Sequence, residues 1–181
     1  IDGPVLEKEN TSCVGLHQVP VVYGLTIGEY AMMVNGEFWL KDSIQCDLKI
    51  IPLGNYKRNA IYELPIKPSP NLPNWESVYL YPSLCFFEGT IVSVGRGTEL
   101  PFQVYGHPLM NEDFCFTPRQ AEGRKAPLLC NQVCYGEILT DYAKNYKQNK
   151  KELNLTWLIN AYNQLNENEK FFNNFFVKLT G

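Results

Sequence analysis

Four prolines fall within nine residues, at positions 65, 68, 70 and 73, and they restrict this chain more than any other feature. Each fixes φ at about −65° and removes a backbone donor, and each biases the preceding residue away from the helical region. Residues 65–74 are therefore expected as a rigid extended loop centred on Pro68-Ser-Pro-Asn-Leu-Pro73. Neither a helix nor a central strand can run through it. Regular structure has to be built on either side. The chain has 181 residues and 45% hydrophobic content, enough for one domain, or for a domain with a helical appendage.

Upstream of the loop, Pro4, Gly15, Pro20 and Gly24 break residues 1–24 into extended or looped pieces. Thr26-Ile-Gly-Glu29 is a capping box: Thr26 caps a helix and Glu29 reaches back. Leu25 and Tyr30 are placed for a hydrophobic staple. Ile27, Ala31, Val34 and Phe38 share one face at helical spacing, and Asn35-Gly36 offers an end. Residues 46–50 alternate apolar and polar, which predicts a strand. Downstream, Asn74 reads as the cap of a short helix through Trp75, Val78 and Tyr79. Pro82 reads as the first residue of a restarted helix, with Gly89 as its stop.

Strands are expected over 101–106, 114–117 and 128–139, the last with Leu129, Val133 and Tyr135 on one face. Two amphipathic helices close the chain. Leu155, Leu158, Ile159, Tyr162 and Leu165 form one stripe; Phe171, Phe172, Phe175, Phe176 and Leu179 form the other. Helices and strands do not alternate as βαβ units. The expected class is α+β, a mixed sheet with flanking helices and the two amphipathic helices at the C-terminal end.

The formal charge is −3, and phosphate backbones require a positive excess, so no nucleic-acid partner is expected. The basic stretch from Lys147 to Lys151 is local and reads as the wet end of a helix. No apolar run approaches the roughly 18 residues of a membrane span. Six cysteines without a CxxC pair and only two histidines, His17 and His107, argue against a metal site. The cysteines read as small buried hydrophobes. Cys130 and Cys134 share a strand face, where neighbours bridge poorly. Each histidine reads as a structural hydrogen-bonding residue.

The densest chemistry lies at 81–98, Tyr-Pro-Ser-Leu-Cys-Phe-Phe-Glu-Gly-Thr-Ile-Val-Ser-Val-Gly-Arg-Gly-Thr. Glu88, Arg96, the hydroxyls of Thr90, Ser93 and Thr98, and three glycines fall close together. Glycines let a backbone approach a ligand. Hydroxyls, a carboxylate and a guanidinium fork suit a polar, uncharged or weakly acidic ligand. Glu88 near a helix C-terminus meets an unfavourable dipole, which raises a carboxyl pKa and suits a general acid. Its alternative is an exposed carboxylate or the partner of Arg96. Arg96 between Gly95 and Gly97 is either a clamp for a carboxylate or hydroxyls, or a surface turn residue. Ser69 and Asn71 in the proline loop either contact a ligand or satisfy their own backbone as a turn. Ser83 and Ser93 lack a nucleophile elbow, and no phosphate-cradling motif is present. Aromatic content is 13%. Trp75 and Tyr81 are candidates to face a sugar ring, although most of the rings at 75–87 are expected in the core.

Several motifs in order resemble one family. They are Asp2-Gly-Pro4, Ser12-Cys-Val-Gly15, Tyr23-Gly-Leu-Thr-Ile-Gly-Glu29, Pro68-Ser-Pro-Asn-Leu-Pro73, Tyr81-Pro82, Glu88-Gly-Thr90, Ser93-Val-Gly-Arg-Gly-Thr98, Pro101-Phe102 and Cys134. Their order is similar to that of the C-terminal region of the exo-β-N-acetylmuramidases. The resemblance covers most of residues 1–140; the last two helices match in character. It implies a glycoside hydrolase releasing N-acetylmuramic acid from the non-reducing ends of peptidoglycan fragments. It also implies a Rossmann-like N-terminal domain that carries the main catalytic glutamate. That domain is expected to lie outside this chain, residues 1–181 being the smaller domain, with the active site between the two.

The implied partners are a peptidoglycan-derived sugar or muropeptide and that N-terminal domain. No cofactor is implied, and the parent protein is expected in the periplasm or at the cell surface. On this reading Glu88 assists catalysis, Arg96 takes the lactyl carboxylate, and Thr90, Ser93, Thr98, Asn71 and Ser69 contact hydroxyls and acetamide. A non-catalytic cell-wall binding module is the alternative. A purely structural interaction domain is a third.

Overall fold

The computed structural model describes residues 1–58, 60–146, 152–165 and 170–181; the basic stretch 147–151 lies outside them. The architecture is α+β, built on two small antiparallel sheets. Strands β1 (Asp2–Val5) and β2 (Pro20–Val22) form the first. In the second, β5 (Cys134–Ile138) lies between β3 (Val104–His107) and β4 (Phe114–Phe116). The helices are α1 (Ile27–Gly36), α2 (Trp75–Leu84), α3 (Thr140–Lys144), α4 (Thr156–Leu165) and α5 (Phe176–Thr180). A 3-10 turn over Cys85–Gly89 continues α2.

Both predicted caps form. The Thr26 hydroxyl accepts from the Glu29 amide at 3.2 Å, and the Glu29 carboxylate accepts from the Thr26 amide at 2.7 Å. The Asn74 side chain accepts from the Ser77 amide at 3.0 Å, so α2 opens where the proline loop ends. The Asn74 amide group also donates to Gln103 Oε1 at 3.2 Å, and Gln103 is 1% exposed. Asn74→Ala therefore removes a cap and strands a buried acceptor. The expected cost is about 2–3 kcal/mol, read from the midpoint shift in urea unfolding. A shift no larger than that of an exposed-surface variant would show that neither bond matters.

Pro82 does not restart a helix. It sits inside the last turn of the continuous α2, and the next turn closes normally through Cys85 N–H to Tyr81 O. Residues 46–50 do not form a strand either. The Asn35 side chain takes both backbone groups of Cys46, donating to its carbonyl at 3.1 Å and accepting from its amide at 2.7 Å. A side chain thus occupies the place of a neighbouring strand. Apolar residues are exposed through this region, with Ile51 and Leu53 each above 80% and Ile66 at 80%. In α1, Ile27 is exposed and only Val34 is buried; Phe38 lies beyond the helix at positive φ.

The expected strand at 128–139 starts late because Leu129 and Asn131 take positive φ. The buried stripe of α4 is Trp157, Leu158, Ala161 and Leu165; Leu155, Ile159 and Tyr162 are turned outward. Helical continuity does not extend over 171–175, since Ile91 N–H bonds Phe171 O at 3.1 Å and residue 172 bridges Thr90. Of the cysteines only Cys134 is buried. Cys13, Cys46 and Cys115 are exposed, Cys85 and Cys130 are partly buried, and all six are unbridged.

One core joins these pieces. Leu80 and Leu84 of α2, Phe86 and Phe87 of the turn, Val92, Phe102, Tyr105, Leu158, Leu165 and Phe171 pack together. Burial of each such side chain is worth about 1.5–3 kcal/mol before entropy is subtracted. The N-terminal strands attach to this core through Asp2, whose carboxylate accepts from the Leu153 amide at 2.6 Å.

Candidate active site

The turn at 93–98 is fastened to the β3–β5–β4 sheet at one point. Ser93 and Gly106 exchange both backbone hydrogen bonds at 2.9 Å, and Gly106 in turn lies opposite Gly136 of β5. Gly95 and Gly97 take φ of 72° and 82°, a region that glycine enters without steric penalty. The chain between them projects Arg96.

Arg96 forms an ion pair with Glu88 from the 3-10 turn. Its guanidinium also lies over the ring of Phe102, 5.2 Å from the centroid. Phe102 meets Tyr81 edge-on, with centroids 4.9 Å apart. The result is a continuous stack: Tyr81, Phe102, Arg96, Glu88. The Arg96 side chain remains 42% exposed and that of Glu88 23%. Burial pushes the Glu88 carboxyl above the ordinary carboxylate range, and the Arg96 charge opposes that shift without cancelling it. Burial also raises the Tyr81 hydroxyl and pushes the Cys85 thiol up to about 12. Cys85 is therefore neutral at pH 7 and is no nucleophile.

Glu88 opens onto a cleft of about 330 Å³, a size suited to a small ligand. Tyr81, Cys85 and Glu88 form one wall, and His17, Tyr23 and Tyr30 form the other. Lys178 of α5 also lines it. His17 Nδ1 lies 2.7 Å from the Tyr30 hydroxyl, and its ring stacks on Trp39 at 5.3 Å. Rings with polar tips on both walls suit a ligand that has apolar faces and hydroxyl edges.

The other sequence candidates are placed differently. Thr90 and Ser93 are each 3% exposed. The Thr90 hydroxyl donates to Phe87 O at 2.8 Å and accepts from the Val92 amide, while Ser93 Oγ accepts from the Gly95 amide. Both hydroxyls are engaged with the local backbone. Thr98 Oγ1 donates to Gly95 O at 2.7 Å and closes the Arg96 turn. Ser69 Oγ accepts from the Asn71 amide at 3.2 Å, the self-satisfied turn, and neither residue lines the Glu88 cleft. Of the seven, the structure joins Glu88 and Arg96 directly. Trp75 lies on a separate apolar cavity with Tyr79 and Trp157. His107 is buried, its Nδ1 accepting from the Leu109 amide at 3.2 Å. Among the described residues no three His, Cys, Asp or Glu side chains gather as metal ligands, and no helix is long and apolar enough to cross a membrane.

Sequence reasoning gave Tyr30 only a staple role and Tyr23 only a place in a family motif, did not single out Lys178, and set His17 aside as structural. Nothing local marks them. They reach Glu88 only because β1 and β2 and the C-terminal tail fold over the 3-10 turn.

The fold is an α+β module with a small polar and aromatic cleft beside Glu88. Residues 1–76 match the model of the N-terminal region of the exo-β-N-acetylmuramidase NamZ, and residues 79–181 match that of its C-terminal region. The chain belongs to the exo-β-N-acetylmuramidase family. A peptidoglycan β-N-acetylmuramidase of Bacillus subtilis is 43% identical over 114 residues, which is 61% of this chain and 27% of that protein. A crystal structure of a protein of the family formerly designated DUF1343, from Bacteroides fragilis, superposes on the whole chain with a TM-score of 0.92 at 49% identity. A second such protein from the same organism covers 75% of the chain with a TM-score of 0.65 at 24% identity, a likeness of fold. The chain spans 51% of the first of these structures and 39% of the second. The two family models meet at the start of α2, directly after the proline loop. The smaller-domain expectation covered the whole chain; the match to the N-terminal model includes the His17–Tyr30 wall.

Proposed function

We propose that this chain supplies part of the saccharide site of an exo-β-N-acetylmuramidase. The parent protein would release N-acetylmuramic acid from the non-reducing ends of peptidoglycan fragments, with a periplasmic or cell-surface place of action. The observation that carries the reading is Glu88: a half-buried carboxyl of raised pKa at the wall of a sugar-sized cleft. Glycoside hydrolysis uses two carboxyl groups, one of them kept protonated to donate to the leaving oxygen. Burial raises the proton affinity of Glu88, which suits it to the donor role. The second carboxylate would come from the N-terminal region of the parent protein.

Arg96 then acts through Glu88. Its fork is already engaged there, and its Nε is buried without a partner among the described residues. It orients the carboxyl and sets its proton affinity. The test is the pH profile of kcat/KM for the full-length protein on a disaccharide ending in N-acetylmuramic acid. Arg96 lowers the Glu88 pKa, so Arg96→Met raises it. An acid catalyst loses activity as pH rises through its pKa, so the alkaline limb moves to higher pH. Arg96→Lys keeps the charge and loses the fork, and is expected to lower kcat with a smaller displacement of the limb. An unmoved limb in Arg96→Met would remove Glu88 as the acid. No release of N-acetylmuramic acid by the unsubstituted protein would end the whole reading.

A further inference from the structure

We infer that Lys178 is the residue that selects a carboxylated sugar in the Glu88 cleft; the inference rests on the saccharide reading above. Among the described residues lining the cleft, the charged side chains are Glu88 and Lys178. Glu88 is paired with Arg96. Lys178 is therefore a lining cation without an ion pair among the described residues. A ligand that fills the cleft gains from a negative charge on that side.

The other polar groups cannot supply that recognition. The hydroxyls of Tyr23, Tyr30 and Tyr81 and the ring of His17 serve neutral hydroxyls and amides, and the Tyr81 hydroxyl stays protonated at neutral pH. The Arg96 fork is held against Glu88 and Phe102. A flexible ammonium, carrying three donors on a four-carbon stem, suits a carboxylate on a short, rotatable ether arm.

The position of Lys178 is built by the fold. Residues 171–173 are laced to the 3-10 turn through Ile91 N–H to Phe171 O and Asn173 N–H to Gly89 O at 3.1 and 2.9 Å. The α5 turn is set beside Glu88 by those bonds. The ammonium and the carboxyl thus share one cleft although ninety positions separate them in sequence.

The experiment measures binding of N-acetylmuramic acid, its methyl ester and N-acetylglucosamine to the full-length protein by calorimetry at low ionic strength. The acid is expected to bind about tenfold more tightly than the ester and the neutral sugar, with the preference shrinking in 0.5 M salt (about a 4 Å screening length). Lys178→Met is expected to abolish the preference while leaving binding of the ester unchanged. Lys178→Arg is expected to keep most of it. Lys178 is exposed, so the variants are expected to fold, and equal melting temperatures check this. Equal binding of acid and ester by the unsubstituted protein, or a preference that survives Lys178→Met, overturns the inference. Cleavage of the disaccharide with no such preference would leave the proposed function standing without it. Absence of both cleavage and binding would sink both.

Discussion

Gly136→Ala is expected to prevent this chain from folding. A Cβ at that position would lie 1.8 Å from Tyr105 O and 2.6 Å from Gly106 Cα. Both contacts are backbone, so no side chain can move aside. The strand pair β3–β5 would have to separate where Gly106 faces Gly136. Costs of about 4 kcal/mol or more are exceptional for single substitutions, and this belongs among them. A domain with stability of about 5–15 kcal/mol would be left marginal or unfolded. The site would go with it, because Ser93 is fastened to Gly106 and the Arg96 turn hangs from Ser93. Gly54→Ala is the control, since a Cβ there meets nothing within 4 Å. Soluble yield and circular dichroism read the outcome. A Gly136→Ala protein that melts cooperatively near the unsubstituted midpoint would show that the sheet is looser than described.

Glu88→Gln is expected to lower kcat of the full-length protein by about 10²–10⁴, the usual contribution of a general acid. The amide keeps the shape and one acceptor for Arg96 but has no proton to give. Substrate affinity should change much less than kcat. The residual rate should lose the alkaline limb of the pH profile, since nothing then titrates there. A substrate with a good leaving group, such as an activated aryl glycoside, needs little protonation and should recover much of the loss. A drop in kcat that is the same on both substrates would assign Glu88 to structure. An unchanged kcat would place the acid elsewhere, in the N-terminal region.

Some of this molecule can be read directly from neighbouring residues. The two caps close over three residues each, so Thr26 with Glu29 and Asn74 with Ser77 carry their own signal. The proline loop is legible for the same reason, since φ is locked residue by residue. The Glu88–Arg96 pair is only eight positions apart, and a partnership between them was among the readings that the residues allowed. The differences arise where context beyond the neighbouring residues decides. Alternation at 46–50 describes a strand only where another strand accepts it, and here Asn35 takes the Cys46 backbone instead. The hydroxyls of Thr90 and Ser93 looked available because sequence carries no burial; in the fold they satisfy adjacent amides.

The sequence alone therefore determined the starts of α1 and α2, the irregular course of 65–74 and the glycine-framed turn that presents Arg96, all of which depend on torsions and bonds within a few residues. The tertiary structure decided which groups meet in the cleft. Glu88, the His17–Tyr30 pair and Lys178 come from three distant segments, and long-range contacts are selected by burial and backbone pairing across the whole fold. No spacing rule along the chain encodes such a meeting.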